Sequence, residues 1–373
     1  MKGERIKLFV DAHCLDTEYQ GTQTFVRGLY REILRQDLMD IYFGTDNADN
    51  ILNAFPGLPP AKIFVYKKRK PSILRYLFDI PGILKSNGFH YAHFQYMGPQ
   101  PVQHCKYIVT MHDVLFNDFR SSFSWQYRIS RNLLFNRSMQ QAAIKTTVSD
   151  YSGKRISRHF NIAEEQLTII PNGISSIFGA GFSKPEAREI IFKKYGLANF
   201  ILYVSRIEPR KNHLLLLEKY LELELYKQNI SLVFIGQQSI PVAALQKRIN
   251  LLAPWQQLFF RWIEQVDQQE LEAFYRSCKL FVYPSKAEGF GLPPLEAAVC
   301  KVPVLCSNTT AMQDYVFFKP FTFDPDNEVE FGNQLKAILE SSVSAAQLER
   351  IAEEVLEKYS WKNSAAAFCK LLV

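Results

Sequence analysis

The chain has no run of eighteen apolar residues, so no transmembrane helix is expected. Its start, MKGERIKLFVDAH, enters a strand pattern at once and lacks the order of a secretory signal. Cys-x-x-C pairs are absent. Cys14, Cys105, Cys278, Cys300, Cys306 and Cys369 are scattered, which argues against a disulfide framework. They are expected as reduced thiols packed as small apolar side chains. No internal repeat or low-complexity segment is present, and no His/Cys cluster points to a metal. Acidic residues are scarce in one half only. Residues 1–180 hold 15 Asp and Glu against 22 Lys and Arg, while residues 181–373 hold 22 of each. The excess charge of +7 therefore sits in the first half and favours an anionic partner. A nucleic-acid partner is not expected, since pI ≈ 8.9 is modest and no recognition motif appears.

What is present is a globular composition, 47% hydrophobic and 22% charged, in 373 residues. That is enough for two domains. The segment Tyr283–Ser307, YPSKAEGFGLPPLEAAVCKVPVLCS, organises the rest. A buried strand over 280–283 leads to a glycine loop, and Pro293 and Pro294 suit the first turn of a helix. Amides at Gly289, Phe290, Gly291 and Leu292 are expected to face an anion, which the helix dipole also favours. Glu288 lies on the loop, and Glu296 is expected in the first helical turn. Two carboxylates beside an anion make sense when each accepts hydrogen bonds from hydroxyls of the same ligand. A phosphorylated sugar or a nucleotide sugar has that make-up.

From Phe200 onward, strand and helix patterns alternate. Strands are expected at 200–205, 230–236, 257–263, 279–284 and 302–306, and helices at 211–227, 242–253, 268–277 and 293–300. The first half offers strands at 5–10, 40–44, 62–66, 89–94, 107–111, 146–149 and 167–170, with helices at 25–35 and 125–141. Such alternation implies parallel, doubly wound α/β sheets. His112 and Asp113 follow the strand 107–111, where ligands of open α/β sheets sit. The tail 345–372 is expected to be helical.

The string E-G-F-G-L-P-P-L-E-A, with strands on both sides, resembles the E-x7-E signature of retaining glycosyltransferases of family 4. YVSRIEPRKN (203–212) looks like that family's diphosphate-binding segment, MHDV (111–114) like its histidine loop, and PNGI (171–174) like its interdomain turn. FDP (323–325) and YSW (359–361) match weaker landmarks. The resemblance implies a GT-B fold: two Rossmann-like doubly wound domains facing a central cleft. It places an acceptor-binding domain at 1–175, a nucleotide-sugar donor domain at 176–357, and a last helix, 358–373, packed back on the first.

By the same resemblance Arg206 and Lys211 meet the diphosphate, Glu296 the ribose hydroxyls and Glu288 those of the donor sugar. Ile263, Glu264 and Val266 lie near the base, and His112 bonds a sugar hydroxyl or shares the acceptor's proton; His112, Glu288, Arg206 and Lys211 are the expected catalytic residues. Gly21 is either a donor contact or an ordinary turn; the family's glycine-rich first loop is reduced here to that one residue. The implied chemistry is retaining transfer from a UDP- or GDP-sugar, without metal or cofactor. Fixed cations would take up the charge growing on the leaving phosphate. The donor leans toward mannose. The acceptor would be a saccharide or lipid-linked saccharide of surface polysaccharide or lipopolysaccharide synthesis. An alternative is a nucleotide-sugar epimerase on the same architecture, against which the Arg206–Lys211 pair and E-x7-E argue. The protein is expected in the cytoplasm, with an open choice for Lys67–Lys70 and the apolar residues after it. They form either a membrane-surface segment or a charged turn before a packed helix.

Overall fold

The computed structural model describes residues 5–17, 21–67, 70–120, 123–175, 178, 181–341 and 343–372. The chain divides into two compact units, Met1–Gly173 with Tyr359–Val373, and Ile174–Lys358.

The first unit is built on β1 (Lys7–Asp11), β2 (Asp40–Thr45), β3 (Ile63–Val65), β4 (Tyr91–Gln95), β5 (Lys106–Met111), β6 (Ile144–Thr147) and β7 (Leu167–Ile169). All pairings are parallel, in the order β3-β2-β1-β4-β5-β6-β7. The second unit holds β8 (Phe200–Val204), β9 (Ser231–Ile235), β10 (Phe260–Ile263), β11 (Leu280–Tyr283), β12 (Val304–Ser307) and β13 (Thr322–Phe323). Their order is β10-β9-β8-β11-β12-β13. Helices cover such sheets on both faces, so central strands read as unbroken apolar runs. FILYV in β8 and LFVY in β11 are of this kind. Strand order reverses between β1 and β4, and again between β8 and β11. Ligands of doubly wound sheets bind beyond the carboxyl ends at such points. Asp11 ends β1; Arg206 and Glu288 follow β8 and β11.

Several expected boundaries move for local reasons. The strand expected at 146–149 is Ile144–Thr147, because Ser149 caps the helix Asp150–Phe160 by accepting from the Ser152 amide. The expected strand 257–263 shortens to β10, since Pro254 starts a helical turn, Pro254–Gln257, ahead of it. The helix expected from 211 begins at His213; Asn212, at φ +58°, separates it from a 3-10 turn at Pro209–Lys211. Helices Lys184–Tyr195 and Glu328–Glu340 and the two-residue β13 were not expected. The tail is two helices, Ala345–Lys358 and Trp361–Cys369, and the division between units falls between them. Trp361 seats against Gly28 and Gly173. A Cβ on Gly28 would stand 2.0 Å from its Cε2, and one on Gly173 2.3 Å from its backbone nitrogen. Among the described residues no helix is long and apolar enough to cross a membrane.

Candidate active site

The loops after β8 and β11 meet through charge. Lys211 Nζ lies 2.5 Å from Glu288 Oε1, and Arg210 Nη1 lies 3.1 Å from Oε2. The Tyr283 hydroxyl donates to Oε1 at 2.8 Å, and Arg210 also holds Glu208 at 2.6 Å. Lys211 and Glu288 are each 7% exposed. Burial alone would raise the Glu288 carboxyl, but the Lys211 and Arg210 charges outweigh it and bring it down to about 2. Burial and the neighbouring Arg210 push the Lys211 ammonium down to about 8, against the pull of Glu288. At neutral pH both stay charged. The loop is fixed in turn by backbone contacts. The Arg210 guanidinium donates to the Ala287 carbonyl at 2.6 Å, the Tyr203 hydroxyl to the Lys211 carbonyl at 2.6 Å, and the Glu288 amide to Thr310 Oγ1 at 2.9 Å.

A few residues on, Gly291 takes φ +90°, which glycine adopts without strain, and caps the helix Leu292–Val299. Gly289 and Phe290 are buried in this loop. The Tyr315 hydroxyl donates to the carbonyls of Phe290 and Gly291, which orients the loop. Glu296 is the fifth residue of the helix. It therefore stands in the second turn and not the first as expected, because the helix starts before both prolines. Its carboxylate accepts from the Tyr275 hydroxyl at 2.8 Å. With no cation beside it among the described residues, burial pushes this carboxyl up to about 7, against the Tyr275 hydrogen bond.

Arg206 lies two residues past the end of β8 rather than at its end, and Lys211 closes the 3-10 turn rather than opening the helix. Arg206 is exposed and has no ion-pair partner among the described residues, whereas Lys211 is buried and paired. Ile263 ends β10 and its carbonyl accepts from the Gly236 amide at 2.9 Å. Glu264 is exposed, while Val266 is half-buried just before the helix Gln268–Ser277. Sequence reasoning missed Arg210, Glu208, Tyr283, Tyr275 and Tyr315. Arg210 adjoins Lys211 in the PRKN run, and that adjacency was the available signal.

Gly21 and His112 belong to the first unit. Gly21 is the first residue of the helix Gly21–Gln36, with open space where a Cβ would stand. His112 is buried, its Nε2 2.8 Å from Gln95 Oε1, and burial pulls its imidazole down to about 3, so it is neutral. His93 is interior, bonded to the Tyr30 hydroxyl at 2.5 Å and to Thr110 at 2.7 Å. A pair the sequence did not suggest lies beyond β1: His13 Nδ1 stands 2.9 Å from the buried Asp11. Tyr66 and Tyr76 donate to the same carboxylate at 2.9 and 3.2 Å. His13 lines a cavity of about 520 Å³ together with Arg75, Tyr96, Asp113, Tyr127 and Arg131. Of the basic run, Lys67 and Lys70 are exposed; Lys68 and Arg69 lie outside the described residues. No three His, Cys, Asp or Glu side chains cluster to hold a metal among the described residues.

Comparison with known proteins gives the family. The family model for Glycosyl transferases group 1 matches residues 187–355, and that for Glycosyltransferase Family 4 matches 19–176. O-antigen chain mannosyltransferase B of Escherichia coli is 30% identical over 235 residues, 62% of this chain and 56% of that protein. O-antigen chain mannosyltransferase RfbU of Salmonella typhimurium is 23% identical over 231 residues, 62% of this chain and 60% of that one. The chain thus matches little more than half the length of these curated relatives. Among solved structures, HepE of Anabaena in complex with UDP-glucose superposes with a TM-score of 0.75 at 15% identity, covering 99% of both chains. The two matched segments follow one another along nearly the whole sequence, each on its own parallel sheet. The chain belongs to the family 4-like glycosyltransferases of GT-B fold.

Proposed function

We propose that the protein moves a sugar, mannose in the first instance, from a UDP- or GDP-sugar to a saccharide or lipid-linked saccharide. Transfer proceeds with retention, without metal or cofactor, in the synthesis of a surface polysaccharide or lipopolysaccharide. The observation that carries this reading is the buried Lys211–Glu288–Arg210 node beneath the loop 288–292. It holds fixed positive charge and a helix N-terminus at the end of the sheet, where a diphosphate would lie. The O-antigen mannosyltransferase names of the relatives support the sugar and the pathway.

In this reading the C1–oxygen bond to the diphosphate breaks and a C1–oxygen bond to the acceptor forms on the same face. The acceptor's proton passes to the departing diphosphate. Arg206, exposed and without an ion-pair partner among the described residues, closes on the phosphate oxygens with a planar fork. Lys211 supplies a point charge. Glu288 keeps lone-pair capacity beyond its present partners for one sugar hydroxyl, and Glu296 accepts from the ribose. Ile263, Glu264 and Val266 border the base, and Gly21 lies near the donor phosphates. His112, neutral, bonds a sugar hydroxyl through Nδ1, which has no partner among the described residues. The 520 Å³ cavity of the first unit takes the acceptor. The protein works in the cytoplasm, peripheral to the inner face of the cell membrane.

A thermal-shift panel of UDP-, GDP- and ADP-sugars, each with magnesium and with EDTA, tests the donor. One nucleotide is expected to raise the melting temperature equally under both conditions. No shift from any of them would refute the donor site, and a shift that needs magnesium would refute the metal-free reading. Radiolabelled donor with and without acceptor then separates transfer from epimerisation.

A further inference from the structure

The cavity of the first unit holds charge that the transfer reaction described above does not use. Among the described residues three basic side chains line it, His13, Arg75 and Arg131, against one carboxylate, Asp113. Arg75 Nη1 pairs with Asp46 at 2.9 Å, and His13 Nδ1 with Asp11 at 2.9 Å. Arg131 has no such partner among the described residues. Its guanidinium lies instead over two rings, 5.1 Å from the Tyr127 centroid and 5.4 Å from that of Phe135. Stacking of this kind engages the plane of the guanidinium and leaves its N–H edge to donate elsewhere.

His13 offers a second donor. Asp11 is fully buried, and besides the imidazole it accepts from the Tyr66 and Tyr76 hydroxyls. It fixes the His13 ring through Nδ1, and Nε2 has no partner among the described residues. Burial lowers the imidazole, but the Asp11 charge outweighs it and holds it above its ordinary value; Arg75 opposes this and Asp46 assists. The protonated ring then has an Nε2–H to give. An arginine fork and an imidazolium on one cavity suit an oxyanion. The walls suit a sugar ring. Tyr96 and Phe135 stack at 5.1 Å and Phe123 and Tyr127 at 5.7 Å, presenting flat apolar faces, while Asp113 can accept from hydroxyls. A neutral saccharide would meet the rings and Asp113 but bring Arg131 no opposite charge.

We propose that this cavity takes an acidic saccharide, whose carboxylate or phosphate ester is held by Arg131 and His13. The inference rests on the reading of the cavity as the acceptor site and narrows the acceptor to a sugar that carries an oxyanion.

Ligand-observed NMR titrations of the full chain test it. The probes are methyl glucuronide beside methyl glucoside, and mannose 6-phosphate beside mannose, with inorganic phosphate alone as the control. At least one acidic sugar is expected to bind roughly tenfold or more tightly than its neutral counterpart, and which one does so names the acid. Arg131→Gln should erase that preference and leave neutral binding as it was. His13→Gln, which keeps an N–H for Asp11, should remove a smaller part, roughly threefold. Both variants should melt as the parent does, which reads out folding. Three results would overturn the proposal: equal binding of acidic and neutral sugars, a preference that both variants retain, or inorganic phosphate binding as tightly as mannose 6-phosphate. The nucleotide-sugar thermal shift of the parent separates the two readings. A shift without any preference for acidic sugars leaves transfer standing and removes the acidic acceptor, whereas the preference without a shift does the reverse.

Discussion

Glu288 and Glu296 bound one loop-and-helix segment, yet their surroundings push them in opposite directions. Glu288 is clamped by Lys211, Arg210 and Tyr283 and is ionised far below neutral pH, at about 2. Among the described residues Glu296 has only the Tyr275 hydroxyl, and burial raises it to about 7. Two carboxylates whose environments drive their ionisation apart have different tasks. Glu288 is first a positioning residue, pinning two cations at the end of β8. In the proposed function Glu296 is the acceptor whose charge is costly until a ligand's hydroxyls meet it.

The sharpest way to break this comparison is to remove Lys211. Lys211→Ala leaves a buried carboxylate with half its compensation. Truncating one partner of a buried pair costs about 3–5 kcal/mol. Because Arg210 remains, the lower end is expected, about 3 kcal/mol by urea titration. Activity should fall about a hundredfold or more, by analogy with a lost oxyanion donor. The double variant Lys211→Met/Glu288→Leu should be more stable than Lys211→Ala while remaining inactive. A double variant no more stable than the single one would deny that the pair is coupled.

Arg206 is the matching control. It is exposed and has no ion-pair partner among the described residues, so Arg206→Ala should change stability by less than about 0.5 kcal/mol. Steady-state kinetics should still show about a hundredfold loss in kcat. A loss confined to KM would mean that Arg206 binds the ground state and transition state equally.

The segment between the two glutamates was legible because its information is local. Glycines 289 and 291 and the proline pair fix a turn and a helix start within a few residues, and Gly291 does adopt φ +90°. The clamp on Glu288 was not legible. Arg210 and Glu288 are 78 positions apart, and only the parallel sheet brings their loops together. Glu296 was misplaced by one helix position because Gly291 is the cap and the helix starts at Leu292, one residue earlier than the prolines suggest. The strand at 146–149 slipped for a comparable reason, since Ser149 is claimed as a cap by the next helix. The parallel α/β class was most readable from Phe200 onward, where apolar strands such as FILYV and LFVY alternate with helical patterns. The Asp11–His13 pair and its cavity were not, because they draw on segments from β1 to the helix Trp125–Gln141.

Replacing Glu296 by Gln sharpens the contrast with a smaller effect. Glutamine keeps a carbonyl for the Tyr275 hydroxyl but cannot ionise. The folded-state pKa of Glu296 lies above its usual value of 4.5, at about 7. The protonated carboxyl therefore favours the fold at low pH, and that advantage is lost as pH rises to about 7. Glu296→Gln should be increasingly stable relative to the parent over that interval, with a constant difference above it. Donor affinity at pH 8 should drop about tenfold, the loss of one charge-assisted hydrogen bond. A stability difference that does not vary with pH would place Glu296 in solvent rather than in a buried site.

The smallest effect comes from Tyr275. In the parent, kcat/KM should rise through about pH 7 as Glu296 ionises and fall above about 8 as Lys211 loses its proton, giving a narrow bell. Tyr275→Phe removes the hydrogen bond that lowers the Glu296 carboxyl. Such a bond to a charged group is worth about 1.5 kcal/mol or a little more, which corresponds to roughly one pH unit. The acid limb should therefore move up by about that much and lower the peak, while the alkaline limb stays in place because Lys211 is untouched. Movement of both limbs together would mean that the two carboxylates share one titrating network, and the division of labour between them would fail.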